Sequence, residues 1–418
     1  MNPRDRNSTG NSDVSCVPIN QRMFLFHSQT SPPYAVEYGD GSFDLFGSGA
    51  PLFKILAKTP ADFERLFKRD PYSLAVGFVR GQFSVEGDLA TAVRVYYAQA
   101  QSRLRTRLLR VLAKLAIERL EGWFQTKHRA AENIRFHYDH SNDFYRLFLD
   151  SRLVYSCAYF NDPEQPLDDA QVRKLAHICR KLNLQPGEQF LDVGCGWGAL
   201  VTYAAEAHGA FSTGCTLSSE QFNFANRQVA DRALGPKARI QLSHYRDIEG
   251  TFDKIASVGM FEHVGRRRLQ GYFQKLYCLT RPGGLVLNHG ITRPENVRDS
   301  PETLFVRRHV FPGGELPRLS EVIRFAETAG FEVLDVENLR PHYALTCRAW
   351  VGRLQENVTR CLREVEHSIY RTWLLALAAS AAYFEEGLLN VNQVLLYKAG
   401  HPARRPFTRE YIYARPGE

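Results

Sequence analysis

The chain of 418 residues is long enough for two or three domains, and its 44% hydrophobic and 23% charged content excludes wholesale disorder. The best apolar run, Thr372 to Phe384, is 13 residues long, short of the roughly 20 that a bilayer crossing needs. A net charge of +8 asks for an anionic partner, either nucleic acid or an acidic lipid surface.

The first 20 residues are polar and read as a flexible tail without the apolar stretch of a signal peptide, so a cytoplasmic protein is expected. Residues 21–100 read as a small α+β domain. Tyr34, Val36 and Tyr38 alternate as in a strand, Gly39 to Ser42 offers a hairpin turn before Phe43 and Leu45, a helix follows near Ala61 to Phe67, and QFSVE is a further strand. Residues 101–129 read as a linker dominated by an amphipathic helix. Leu104, Leu108, Val111 and Leu115 form one stripe beside Arg103, Arg107, Arg110 and Lys114. From Arg103 to Arg129 there are eight Lys or Arg against two Glu, a net +6, which is either a solvated edge or a surface for anionic headgroups.

From residue 130 to 398 short apolar runs alternate with helical segments: Gln189 to Val193, Ser212 to Leu217, Arg239 to Tyr245, Lys254 to Val258, Leu285 to Asn288 and finally Gln393 to Tyr397. This is the pattern of a doubly wound, mostly parallel sheet, an α/β catalytic domain. Residues 399–418 read as a polar tail. The eight cysteines contain no CxxC pair, so a zinc ribbon, a disulfide scaffold or any other metal site is not expected.

The first run ends in Asp192-Val193-Gly194-Cys195-Gly196-Trp197-Gly198. Glycines at a strand-to-helix turn let backbone approach a ligand where a Cβ would collide. Such a loop alone serves NAD, flavin and adenosylmethionine proteins alike. Here the spacing is GxGxG after an Asp, with no P-loop Lys-Ser/Thr, and a carboxylate at Asp192 suits a cationic amino-acid end better than a pyrophosphate. That favours S-adenosylmethionine over a dinucleotide or a structural turn. After the second run come Thr216, Leu217, Ser218 and Gln221, whose amide can bond ribose hydroxyls. After the third, Tyr245, Arg246 and Asp247 fall where adenine would lie, Asp247 as an acceptor for its amino group.

The segments HYDHSNDFYRLFLDSRLVYSCAYF (137–160), LDVGCGWGAL (191–200), GCTLSSEQ (214–221), GMFEHVG (259–265), LNHGIT (287–292), FPGGELP (311–317) and HYALT (342–346) together resemble the cyclopropane-fatty-acyl-phospholipid synthase and mycolic acid cyclopropane synthase family. The preceding domain, with DPYSLAVGFVRGQFSVEGDL, resembles the N-terminal domain of the phospholipid-acting branch. Ser141 departs from the usual Gly, and Tyr245-Arg246 departs on the adenine side. The resemblance implies a Rossmann-like class I methyltransferase sheet with helical insertions, with Tyr138, Tyr155 and Ser156 also at the cofactor. It implies a bound bicarbonate held by Cys157, Glu262, His289, Ile291 and Tyr343, with His289 and Tyr343 donating and Glu262 accepting. Taken singly, Cys157 reads equally as a small buried hydrophobe and His289 as a satisfied core histidine.

The expected chemistry is methyl transfer to the cis double bond of an unsaturated phospholipid acyl chain, followed by deprotonation by bicarbonate and closure to a cyclopropane. An isolated alkene is a weak nucleophile, and the cation it leaves must be kept from water. Aromatic faces help, and Phe136, Tyr138, Phe144, Tyr145, Tyr155, Tyr159 and Phe160 are candidates, most of them as packing. Expected partners are the anionic phospholipid surface of the inner membrane face and the acyl chain, with a homodimer allowed and nucleic acid not expected. The alternatives are methyl branching without ring closure, a small-molecule N-methyltransferase, and a lipid-binding protein that has lost catalysis.

Overall fold

The computed structural model describes residues 32–67, 71–103, 141–297, 315–400 and 407–413. The N-terminal tail, most of the basic linker helix with its Leu and Arg stripes, Phe136 and Tyr138 lie outside them.

The N-terminal unit opens with strands β1 (Tyr34–Tyr38) and β2 (Phe43–Phe46), joined by the expected turn: Asp40 accepts from the amide and hydroxyl of Ser42. Strand β3 (Phe53–Ala57), helices α1 (Pro60–Phe67) and α2 (Pro71–Val79), strand β4 (Ser84–Gly87) and helix α3 (Leu89–Arg103) complete it. The sheet order is β2-β1-β3-β4, with β1 and β3 parallel. Tyr34, Val36, Phe53 and Ile55 point inward at the strand period of two. The proposed boundary at residue 100 falls inside α3.

The second unit begins with the short helix α4 (Asn142–Arg146), capped by Ser141, whose hydroxyl accepts from the Phe144 amide. Helix α5 (Leu167–Lys181) leads to the sheet: β5 (Gln189–Val193), α6 (Ala199–His208), β6 (Phe211–Thr216), α7 (Ser219–Asp231), β7 (Ala238–Leu242), β8 (Phe252–Val258), α8 (Leu269–Leu279) and β9 (Thr280–Thr292). Then follow α9 (Leu319–Thr328), β10 (Glu332–Asn338), α10 (Arg340–Glu356), α11 (Val358–Glu364), α12 (His367–Glu385), β11 (Asn390–Tyr397) and α13 (Glu410–Tyr413). The sheet order is β10-β11-β9-β8-β5-β6-β7, and β11 runs against both its neighbours. The chain moves outward from β5 to β6 and β7, then returns through β8 to the other side. This switch point opens a crevice at the carboxyl ends of β5 and β8, where such sheets bind ligands.

One expectation is corrected, and two features go beyond the sequence reading. Tyr245 lies beyond β7, in a single 3-10 turn (Tyr245–Asp247). The antiparallel neighbour β10 was not anticipated. The tail is not wholly free: Arg409 pairs with Asp335 at 3.0 Å, and the Tyr411 hydroxyl donates to the Lys181 carbonyl at 3.1 Å.

Among the described residues no helix is long and apolar enough to cross a membrane. The apolar run 372–384 lies within α12 and packs against α10, α2 and α3. It carries the main joint between the two units. The buried Arg371 donates to the carbonyls of Phe78 (2.7 Å) and Phe83 (2.6 Å) and to the Ser84 hydroxyl (3.2 Å), with its guanidinium 4.1 Å from the centre of the Phe78 ring. Arg348 bridges Asp88 and Glu385, and Arg94 pairs with Glu386 at 2.8 Å. Arg371→Met should therefore lower the first unfolding transition in urea by roughly 2–4 kcal/mol, because two buried carbonyls lose their donor. Arg371→Lys should recover only part of this, since a single ammonium does not reproduce the three-way fork.

Candidate active site

The crevice is lined by the β5–α6 turn, the end of β6, the 243–246 segment, the start of the 259–264 segment and the loop 153–156. Gly194 and Cys195 both donate to the Cys215 carbonyl, which fixes the turn between β5 and β6. The three glycines do different work. At Gly196 (φ +54°) an added Cβ would meet only open space, so it forms the floor of the crevice. At Gly198 (φ +83°) a Cβ would sit 2.9 Å from the Ala225 Cβ, so that glycine lets α7 pack closely and does not line the crevice. Gly194 lines it and abuts Met260.

Tyr155, Ser156, Asp192, Thr216, Leu217, Gln221, Tyr245 and Arg246 all line the crevice, as expected from sequence. The Thr216 hydroxyl donates to Gln221 Oε1 at 2.8 Å and holds that side chain. Besides Gly198, two expected residues do not line it. Ser218 is buried and caps α7 by accepting from the Gln221 amide, and Asp247 is exposed on the far side of its turn.

Residues that sequence reasoning missed stand at the mouth of the 150–156 loop. Gln171 on α5 donates to the carbonyls of Val154 (3.2 Å) and Ser156 (2.9 Å), and Asp150 accepts from the amides of Arg152 and Val154. Lys174, one turn further along, donates to the Ser156 hydroxyl at 3.0 Å. Burial lowers Lys174 to about 8, against the pull of Asp150 and Asp192. Burial raises Asp192 to about 7, and its Oδ1 has no partner. Gln171, Lys174, His177 and Lys181 are polar residues on the buried face of a helix whose spacing otherwise reads as amphipathic, and that mismatch was the available signal.

Behind the crevice the five residues expected at an anion site form two groups. Glu262 Oε1 accepts from the Ile291 amide at 2.7 Å, while Glu262 Oε2 and His289 Nε2 are buried without partners. Gln393 lies 3.2 Å from His289 Nδ1. Glu262 is brought in by Phe261, which packs so closely on β9 that a Cβ at Gly290 would fall 1.7 Å from its ring. Cys157 is fully buried, its thiol raised by burial and directed to the carbonyls of Ala158 (3.2 Å) and Leu339 (3.8 Å). Tyr343, in the first turn of α10, also bonds Leu339 through its amide. The groups are joined by backbone: the Leu339 amide donates to Val391, which pairs with Ile291 across β11 and β9. Burial pushes Glu262 up to about 7 and His289 down to about 3, so His289 is neutral.

Nearby in the core Tyr155 packs on Trp350 and Trp373, and Tyr343 stacks on Phe384 with centroids 4.6 Å apart. Phe144 and Tyr145 are interior packing, and Tyr159 stacks between His177 and His342 with its hydroxyl toward Glu337. Among the described residues no cluster of His, Cys, Asp and Glu is arranged to hold a metal.

The family model for mycolic acid cyclopropane synthetase matches residues 125–394, nearly two-thirds of the chain. The chain belongs to this family. A separate domain family of unknown function matches residues 23–107. A probable fatty acid methyltransferase of Pseudomonas putida is 42% identical over 393 residues, covering 91% of this chain and 96% of that protein. Cyclopropane mycolic acid synthase 1 of Mycobacterium tuberculosis is 36% identical over 277 residues, covering 64% of this chain and 96% of that protein. The crystal structure of mycolic acid cyclopropane synthase CmaA1 complexed with SAH and CTAB superposes with a TM-score of 0.62 at 35% identity, over 64% of this chain and 98% of that one. The α/β sheet is thus the class I methyltransferase fold.

Two predictions follow from this geometry. Gly196→Val should obstruct the crevice floor at the cost of backbone strain alone (φ +54°), whereas Gly198→Val (φ +83°) adds to such strain a clash with Ala225 and should lower the melting temperature further; thermal unfolding with nucleoside-binding calorimetry separates them. The Glu262 carboxyl is raised in the folded state, so it favours folding in its protonated form, and that contribution is lost as pH rises from about 4.5 to about 7. Glu262→Gln should then stabilise the unliganded protein by roughly 2–3 kcal/mol at pH 8, with the gain shrinking toward zero as the pH approaches 4.5.

Proposed function

We propose that the protein is an S-adenosylmethionine-dependent methyltransferase acting on the double bond of unsaturated fatty acyl chains of phospholipids, with closure to a cyclopropane. The observation that carries this reading is the pairing of a glycine-floored crevice with two buried polar atoms, Glu262 Oε2 and His289 Nε2, that have no partner. Orphaned buried polar atoms are costly, and their presence argues for a ligand that satisfies them.

The residues fit both groups. Gly194, Gly196, Thr216, Leu217, Gln221, Tyr245 and Arg246 would hold the nucleoside, and Asp192, Tyr155 and Ser156 the amino-acid end. Glu262, His289, the Ile291 backbone, Cys157 and Tyr343 would surround bicarbonate. When bound, adenosylmethionine supplies an electrophilic methyl on a sulfonium, and bicarbonate supplies a base. Glu262, in its ionised form, would accept from the hydroxyl of that anion and strengthen it, while neutral His289 would donate without adding a charge that would repel a cation on the acyl chain. Tyr155, Tyr343, Trp350 and Phe384 exclude water and offer ring faces to the cation.

The phospholipid substrate and attachment to the anionic inner face of the membrane are supported by the basic residues 103–129 and by the N-terminal unit. Methyl branching without ring closure is the second reading, favoured by the name of the Pseudomonas relative that aligns along 91% of this chain.

Mass spectrometry and proton NMR of lipids from cells expressing the protein test the assignment. A gain of one CH2 with loss of the alkene supports ring closure, a gain with the alkene retained supports branching, and unchanged lipids refute both. With purified protein, Glu262→Gln should lower turnover about 10²–10⁴-fold with little change in cofactor affinity, and wild-type turnover should fall when bicarbonate is removed.

A further inference from the structure

Ser156, Lys174 and Asp192 meet at one end of the crevice, and each is more than nine-tenths buried. Their hydrogen bonds leave two free valences of opposite kind. A lysine ammonium is a donor with no acceptor, so its 3.0 Å bond to Ser156 Oγ occupies the hydroxyl oxygen and leaves the hydroxyl hydrogen to be donated elsewhere. Gln171 already holds the Ser156 carbonyl, which fixes the residue's position. On the other side Asp192 Oδ1 accepts from nothing. The end of the crevice therefore presents a donor backed by a cation beside an acceptor backed by a carboxylate. That is the complement of an α-amino acid, whose carboxylate and ammonium leave the same carbon.

Lys174 is drawn to Asp150 and Asp192, and Arg246 and Arg268 also line the crevice. Lys174 therefore acts on the ligand's amino-acid end through the Ser156 hydroxyl that it orients and not through the net charge of the site.

We propose that Lys174 is a specificity-determining residue for the amino-acid end of adenosylmethionine: by occupying the Ser156 oxygen it makes that hydroxyl an obligate donor to the α-carboxylate. The assignment rests on the adenosylmethionine reading and adds a residue to it.

Calorimetry with adenosylmethionine and decarboxylated adenosylmethionine tests it without any lipid. The wild type should prefer the carboxylated ligand by about 100-fold or more, from a charge-assisted hydrogen bond in a buried site. Lys174→Met should bring the two ligands within about threefold, mainly by weakening adenosylmethionine, and Lys174→Arg should restore part of the preference. Ser156→Ala, which removes a single oxygen, should lose the same preference, and adding it to Lys174→Met should change little further. It serves as the test if Lys174→Met does not fold. Equal weakening of both ligands in Lys174→Met, or an unchanged preference in Ser156→Ala, overturns the role of Lys174. A wild type that binds neither ligand overturns the cofactor reading instead.

Discussion

Glu262 carries one carboxylate oxygen on the Ile291 amide and the other on nothing, in a place that burial keeps dry. A bare carboxylate there is costly, and the surrounding fold is arranged so that the cost is not relieved internally. The two nearby lysines are committed elsewhere. Lys181 is held by Asp335 (2.9 Å) and Glu337 (2.6 Å), and Lys174 by Ser156. His289 stays neutral because burial and both lysines disfavour its cation. An acceptor and a ring nitrogen are thus left unsatisfied in the interior, a cost that the rest of the fold must offset.

The strands of the class I sheet were legible because a parallel sheet covered on both faces demands continuous apolar runs. Strand β10 was not, because its sequence EVLDVEN places Asp335 and Glu337 where a buried strand should be apolar. Those carboxylates are tolerated only because Lys181 and His177 arrive from a helix more than 150 residues earlier; burial works against Glu337, but these partners hold it down to about 2. The same logic separates the glycines. The GxGxG spacing announced a ligand loop, yet that Gly198 packs on Ala225 while Gly196 faces the crevice depends on a neighbouring helix that spacing does not reveal. Lys174 was missed for the converse reason. Its place on the buried face of α5 is a mismatch in an otherwise amphipathic pattern, and what it holds appears only where loop 150–156 lies against it.

The HYALT motif shows how one short segment does several jobs through helical periodicity. On α10 the His342 ring nitrogen accepts from the Phe160 amide and the Thr346 hydroxyl accepts from the Ala158 amide, so this face fixes the segment carrying Cys157. Tyr343, one residue on from His342, instead stacks on Phe384 of α12. One turn further along, Arg348 reaches Asp88 in the N-terminal unit. A motif that in sequence looks like a single tyrosine in a conserved-looking frame is thus a joint with three surfaces.

That joint constrains what the N-terminal unit can influence. Its contacts through Arg371, Arg348 and Arg94 are to α10 and α12 and the turn after α12, the helices that wall the aromatic chamber. The glycine loop belongs to β5 and α6, inside the sheet, and takes its support from β6 and α7. Interior packing transmits displacement because it has few voids to absorb it. A shift of α10 would therefore move Tyr343, His342 and Thr346 together and disturb the Cys157 segment, while leaving the floor of the nucleoside crevice in place. The shorter mycobacterial relatives, which align over 64% of this chain, share the sheet with its crevice. What the additional unit can adjust is accordingly the aromatic cluster of Tyr155, Tyr343, Trp350, Trp373 and Phe384, where a small displacement of α10 or α12 changes how these rings pack.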